Sequence, residues 1–184
     1  MGNNKAVEII RSKADGRHPK VAIILGTGLG PFAENIENKI IFSYKDLPGF
    51  PDAGVKGHAG QLIMGQINDI EIVVLQGRAH YYESGKPDIM RIPVETLHGL
   101  GCETLLLTNA AGSLLPEAQP GSVMMLKDHI NFTGVSPLFG ETETSRFVNM
   151  ADAYNPSLCD KFRDAAKNFK LVKNIFNQAD EKLN

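Results

Sequence analysis

The segment Val21–Gly30, VAIILGTGLG, is the stretch that decides how the rest of the chain is interpreted. Its first half, Val21–Leu25, is a continuous apolar run, which is typical of a strand buried on both faces of a sheet. Its second half, Gly26–Gly30, carries three glycines and Thr27, so backbone N–H groups are left uncovered by side chains. A buried strand that ends in such a turn predicts an α/β protein with a ligand-binding loop at the end of the strand.

Apolar runs and helical spacings alternate through the rest of the chain. The segment Asn68-Asp69 separates two of the apolar runs and predicts a hairpin turn. We therefore expect a mixed, twisted central sheet flanked by helices, in a single domain over residues 1–184. Strands are predicted at Ile40–Tyr44, Gln61–Ile67, Glu71–Gln76, Thr104–Thr108 and Ser122–Leu126, and helices over residues 4–14 and 88–101. A further helix is predicted to be capped by Asn155, to begin at Pro156 and to run to about Phe169.

Composition excludes several classes of protein. The net charge of −2 gives no basic field for a nucleic acid, so any anion site must be local. No apolar run approaches the ~20 residues that cross a bilayer. Cys102 and Cys159 form no CxxC pair, and no metal-binding motif occurs, so no metal is expected. These features predict a soluble, cytoplasmic protein that binds neither membrane nor nucleic acid.

Small residues and polar groups follow the predicted strands. His58 lies between two glycines in Gly57–Gly60, and Arg78 comes directly after Gly77. Backbone amides, an imidazole and a guanidinium together suit a tetrahedral oxyanion such as phosphate. The pattern GxGxG at Gly26–Gly30 is a poor match to the GxGxxG of dinucleotide sites, which leaves dinucleotide binding as a weaker alternative.

The segment after Gly77 places three functional side chains at alternate positions. If the segment is extended, Arg78, His80 and Tyr82 face one side and Tyr81 faces the core. Three other histidines have no comparable neighbours and are expected to be structural or on the surface: His18, His98 and His129.

Six segments, taken in order, resemble the trimeric class of purine nucleoside phosphorylases. They are VAIILGTGLG at 21–30, GHAGQ at 57–61, QGRAHYYESG at 76–85, TNAAG at 108–112, KDHINF at 127–132 and RFVNMADAY at 146–154. The resemblance covers about residues 18–165. It implies reversible phosphorolysis of purine ribonucleosides or deoxyribonucleosides to the free base and pentose 1-phosphate, with no cofactor beyond inorganic phosphate.

The resemblance also assigns roles to individual residues. Phosphate contacts are implied for Thr27, His58, Arg78, His80 and the Ala110 backbone. His80 would bridge the phosphate and sugar regions and is the candidate catalytic residue. Tyr82 would contact the ribose, and Phe147 would cap the sugar site of a neighbouring subunit, which implies a homotrimer.

The last fifteen residues, 170–184, depart from the family pattern. The family's purine-holding glutamate and asparagine are not found in this sequence, which therefore predicts a truncated form without the C-terminal third. We expect weak phosphate binding and little phosphorolysis. Two alternatives remain open, namely a methylthioadenosine phosphorylase and a non-catalytic form that binds an anion or assembles with longer partners.

Overall fold

The computed structural model describes residues 4–52 and 60–168. The chain divides into two units, Met1–Ala110 and Ala111–Asn184. The first unit contains strands β1 (Val21–Leu25), β2 (Glu37–Ser43), β3 (Gln61–Ile67), β4 (Ile70–Gln76) and β5 (Thr104–Leu107), and helices α1 (Lys5–Lys13), α2 (Tyr81–Ser84) and α3 (Arg91–Leu100).

The five strands form one mixed sheet in the order β2-β3-β4-β1-β5. β2, β3 and β4 pair in antiparallel fashion, whereas β1 pairs in parallel with both β4 and β5. The predicted mixed sheet is therefore confirmed. The antiparallel part follows from the hairpin turn at Asn68 and Asp69, whose φ angles of 48° and 63° match a tight two-residue turn.

β1 is buried on both faces, as its apolar run predicts. Ala22 and Ile24 belong to a core cluster with side chains of α1 and α3. Ile23 and Leu25 belong to a second cluster on the other face, together with Ala33 of the 3-10 segment Gly30–Asn35. Apolar side chains thus pack against both faces of β1, and this packing fixes the position of the turn that follows the strand.

α1 is tied to α3 by its N-cap. The Asn4 side chain accepts hydrogen bonds from the amides of Ala6 and Val7 at 3.1 and 3.4 Å. Its Nδ2 donates to Thr96 Oγ1 in α3 at 3.1 Å. These bonds satisfy amides that a helix start leaves without partners.

β5 is one of the two edge strands of the sheet, the other being β2. Leu106 packs against the second core cluster, but Leu105 and Leu107 on the opposite side are exposed. The edge therefore presents apolar side chains beside the backbone of an outer strand.

The second unit, considered by itself, contains little regular structure between residues 111 and 168. It has a 3-10 turn at Thr144–Arg146 and the helix α4 (Pro156–Asn168). The predicted cap of α4 is confirmed, since Asn155 Oδ1 accepts from the Leu158 amide at 3.1 Å. The strand predicted at Ser122–Leu126 is wrong: those residues, which the structure describes, form no strand.

Candidate functional site

Three of the segments singled out in the sequence leave the sheet at one edge. Leu25 at the end of β1 is in register with Gln76 at the end of β4. Ile24 is in register with Leu107 at the end of β5. Since these strands are parallel, the turns that follow them start side by side, which is where α/β sheets bind ligands.

Thr108 joins the turn after β1 to the turn after β5. Its Oγ1 accepts a hydrogen bond from the Gly26 amide at 2.8 Å and donates to the Ile24 carbonyl at 3.2 Å. A Cβ atom on Gly26 would lie 2.5 Å from the Thr108 carbonyl oxygen. Glycine is therefore required at position 26 by close approach of the backbone.

Arg78, in the turn after β4, also contacts Thr108. Its Nη1 donates to the Thr108 carbonyl at 2.7 Å. Partial burial lowers the pKa of the Arg78 guanidinium below its ordinary value, and the nearby Tyr82 phenol raises it. The guanidinium is thus oriented by a main-chain acceptor rather than left at the end of a mobile side chain.

His80 and Tyr82 stack on one another. Their ring centroids are 5.0 Å apart and the ring planes differ by 13°. The Glu83 carboxylate accepts a hydrogen bond from the His80 amide at 3.0 Å, which fixes the start of the short helix α2.

The helix α2 corrects two expectations about this segment. Tyr82 lies within a helical turn and not on an extended strand, because the chain turns into α2 at Tyr81. Tyr81 is exposed and does not face the core. His80 and Tyr82 are nevertheless close, since the turn folds one ring back over the other.

Thr27 and Ala110 are both exposed to solvent at this edge. Thr27 lies in a turn that the Leu29 amide closes by donating to the Gly26 carbonyl at 3.2 Å. Asn109 Nδ2 donates to the Ala110 carbonyl at 3.4 Å. Thr27 and Ala110 follow β1 and β5, which are neighbours in the sheet.

His58 lies outside the described residues. Gly60, two positions further on, has its amide bonded to the Gln76 carbonyl at 3.1 Å, and Gln76 ends β4. The Gly60 carbonyl accepts a hydrogen bond from the Tyr44 amide at 2.8 Å. Gly60 therefore lies beside the end of β4, which comes two residues before Arg78.

Two residues for which the sequence predicted no role hold this edge together. One is Thr108, described above. The other is Tyr44, whose hydroxyl donates to the Gly77 carbonyl at 2.7 Å. A buried tyrosine hydroxyl needs a hydrogen-bond partner, and that need is the only signal in the sequence that could have pointed to Tyr44.

Phe147 belongs to the second unit. Its ring is exposed, and the Arg146 guanidinium lies 4.7 Å from the ring centroid. In the same unit, His129 Nε2 contacts the Tyr154 hydroxyl, so His129 has a surface partner, in line with the structural or surface role expected for it.

Within residues 4–52 and 60–168, no group of three or more histidine, cysteine, aspartate or glutamate side chains could hold a metal ion. No helix in the described part of the chain is long and apolar enough to cross a membrane.

Comparison with known families identifies the class of protein. The sequence model of the Phosphorylase superfamily matches residues 20–175. The chain belongs to this superfamily.

Individual relatives fall within a narrower group of the superfamily. The chain is 40% identical over 156 residues to purine nucleoside phosphorylase 1 of Bacillus subtilis, covering 83% of this chain and 58% of that protein. It is 42% identical over 149 residues to purine nucleoside phosphorylase of Mus musculus, covering 78% of this chain and 52% of that protein. The chain spans just over half the length of these curated relatives.

A solved structure agrees in fold. Schistosoma purine nucleoside phosphorylase in complex with hypoxanthine superposes with a TM-score of 0.80 at 32% identity, covering 93% of this chain and 62% of that one. The α/β fold with a mixed sheet is therefore shared with a purine nucleoside phosphorylase.

Proposed function

We propose that this chain binds inorganic phosphate at the edge formed by the ends of β4, β1 and β5, as part of a purine nucleoside phosphorylase site. The observation that carries the proposal is the convergence on Thr108, which bonds both the Gly26 amide and the Arg78 guanidinium. One glycine-rich turn and one guanidinium are thereby held at the same place, and this pair of groups suits a phosphate ion. The names of the relatives supply the reaction.

The phosphate contacts would come from several turns. Thr27 offers a hydroxyl beside the glycine amides, and Ala110 offers a backbone amide. Arg78 uses one N–H on Thr108, and a guanidinium has five N–H donors, so a bidentate contact with phosphate remains chemically available. His58 would add an imidazole from the segment before Gly60.

The sugar contacts would come from the stacked pair. His80 would lie between phosphate and ribose and act as the catalytic residue, while Tyr82 would contact the ribose. Stacking at 5.0 Å keeps the two rings together, and the Glu83 carboxylate orients the His80 backbone. Such positioning is what a reaction between two bound substrates requires.

In the proposed reaction, a phosphate oxygen forms a bond to C1′ of the nucleoside as the glycosidic C–N bond breaks. The electron pair of that bond leaves with the purine, which takes up a proton. The pentose carries positive charge in the transition state, and the phosphate anion stabilises it. The products are the free base and pentose 1-phosphate, and no cofactor takes part.

Assembly completes the proposal. Phe147 would cap the ribose site of a neighbouring subunit, so the working form would be a homotrimer in the cytoplasm. The exposed ring of Phe147 is compatible with a contact between chains, because aromatic side chains are enriched at such contacts.

Arg78→Lys tests phosphate binding. Lysine keeps the charge but loses the planar fork, so we expect phosphate affinity by calorimetry to fall about tenfold or more. Arg11→Lys is the matched control, because Arg11 Nη2 also donates to a main-chain carbonyl, that of Gly99, at 2.8 Å. A wild-type protein without phosphate affinity would contradict the proposal.

Turnover separates the candidate reactions. Release of hypoxanthine from inosine in the presence of phosphate would support the purine nucleoside reaction, and preferential cleavage of methylthioadenosine would favour the sister activity. Phosphate affinity without release of base from either substrate would favour a non-catalytic, anion-binding role for this chain.

A further inference from the structure

Tyr44 is a buried residue that the proposed reaction does not use. It follows β2 and begins the 3-10 turn Tyr44–Asp46. Only 3% of its surface is exposed. Its ring packs against Phe50, with ring centroids 5.0 Å apart. Packing explains the ring, but it does not explain why a hydroxyl is carried into the core.

The hydroxyl and the amide of Tyr44 reach two segments of the site edge. The hydroxyl donates to the Gly77 carbonyl at 2.7 Å, and the amide donates to the Gly60 carbonyl at 2.8 Å. Gly60 in turn bonds the Gln76 carbonyl. Tyr44 therefore fastens the chain on both sides of the β3–β4 hairpin at the same end.

The bond to Gly77 acts directly on Arg78. The Gly77 carbonyl and the Arg78 amide belong to one planar peptide group, so holding the oxygen also fixes the direction in which the chain enters Arg78. Gly77 has a φ of +120°, a conformation that side chains disfavour. A flexible glycine immediately before a functional arginine needs an external contact to give it one orientation.

Burial keeps the hydroxyl in its donor form. Loss of hydration raises the pKa of Tyr44 above its ordinary value, because the phenolate would be poorly solvated in the core. The hydroxyl is thus available to the Gly77 carbonyl throughout the physiological pH range.

We infer that Tyr44 is a positioning residue for phosphate binding: its hydroxyl, acting through the Gly77 peptide, sets the direction of Arg78 towards the Thr108 carbonyl. This inference rests on the proposed phosphate role of Arg78. It gives one task to two hydrogen bonds, from Tyr44 to Gly77 and from Arg78 to Thr108, which the peptide bond between Gly77 and Arg78 links. A hydroxyl 2.7 Å from the peptide before Arg78 is its structural basis.

Tyr44→Phe removes the hydroxyl and keeps the ring. We expect the dissociation constant for inorganic phosphate, measured by calorimetry, to rise about tenfold, as for the loss of one buried hydrogen bond. Such a loss is small beside the stability of a domain, so the variant is expected to fold. A urea titration of each variant checks this.

Phe50→Leu is the matched control. It changes the packing around the Tyr44 ring and keeps the hydroxyl, so phosphate affinity should stay within about twofold of wild type. If both variants lose affinity in proportion to their loss of stability, Tyr44 has only a packing role and the inference is wrong.

A second readout does not depend on phosphate. Exchange of the Arg78 guanidinium protons with water is followed by NMR on protein labelled with ¹⁵N-arginine. We expect about tenfold faster exchange in Tyr44→Phe, because the bond to Thr108 is weakened, and no change in Phe50→Leu. Unchanged exchange in Tyr44→Phe would overturn the inference, even if phosphate binds; a failure of the wild type to bind phosphate would instead count against the proposed function.

Discussion

The two units of the chain treat their apolar side chains in opposite ways. Every buried hydrophobic residue of the described chain lies between Ala6 and Leu100, in the first unit. Among residues 111–144 and 146–167, by contrast, every side chain is exposed or only partly buried. The first unit therefore has a core of its own, whereas the second, as described, has none. The first unit therefore contains both the buried apolar core and the candidate phosphate site.

The largest expected effect comes from the same substitution made in each unit. Leu75 is fully buried (0% exposed) and Leu114 is fully exposed (101%). Leu75→Ala should lower the free energy of unfolding by about 2–5 kcal/mol because it leaves a cavity. Leu114→Ala should change it by no more than about 0.5 kcal/mol. Urea denaturation measures both values.

Equal losses of stability from the two leucine variants would contradict this difference between the units. They would mean that Leu114 is buried in solution, so that the second unit does contribute a core. A small loss from Leu75→Ala alone would instead mean that the sheet tolerates a cavity at its centre.

A second pair of variants concerns two glycine-bearing segments. A Cβ on Gly26 would lie 2.5 Å from the Thr108 carbonyl oxygen, whereas one on Gly112 would meet nothing within 4 Å. Gly26→Ala should therefore cost about 1–3 kcal/mol through displacement of the backbone, and Gly112→Ala should be nearly neutral. Thermal unfolding of the two variants distinguishes the sites; a neutral Gly26→Ala would show that the β1 and β5 turns are not in close contact.

The smallest effect concerns Cys102, which packs against the core of the first unit. Burial raises the pKa of its thiol to about 11, against the opposing effect of the positive charge of Lys20. In a Cys159→Ser background, alkylation of Cys102 by iodoacetamide should accelerate about tenfold per pH unit from pH 7 to 10, as the thiolate fraction grows. A rate that levels off below pH 10 would mean that packing against the core does not shield the thiol from water.

The same shift predicts a small loss of stability at high pH. The folded state holds the Cys102 proton more tightly than the unfolded state, whose thiol has the ordinary value of 9.0. Its contribution is thus fully present below pH 9 and is lost as the pH rises towards 11. Urea titrations at pH 8 and pH 10, compared with those of Cys102→Ser, measure it.

The sequence was sufficient to predict elements with a strong local pattern. The continuous apolar run at Val21–Leu25 predicts β1 with its observed bounds, and Asn155-Pro156 predicts the start of α4. The apolar run Ser122–Leu126 was misleading, because a strand also needs a neighbouring strand for its backbone hydrogen bonds. None of residues 122–126 has such a partner in the structure.

For the candidate site, sequence predicted the segments better than the contacts between them. Parallel strands send their turns to one edge, so the proximity of the Gly26 turn and Arg78 could be expected. The bonds from Tyr44 to Gly77 and from Arg78 to Thr108 join residues 33 and 30 positions apart. No periodicity records pairings of that length, and so Tyr44 and Thr108 were missed. The helical turn at Tyr81 was missed because α2 is only four residues long.

The sheet order has a consequence for how the chain folds during synthesis. β3 and β4 are joined by a two-residue turn and can pair as soon as they are made, within microseconds. β1 is made earlier, but its neighbours β4 and β5 both come later in the chain. β1, whose five residues are all apolar, therefore leaves the ribosome before either of its neighbours in the sheet, and its apolar side chains have no partner strand until the hairpin has formed.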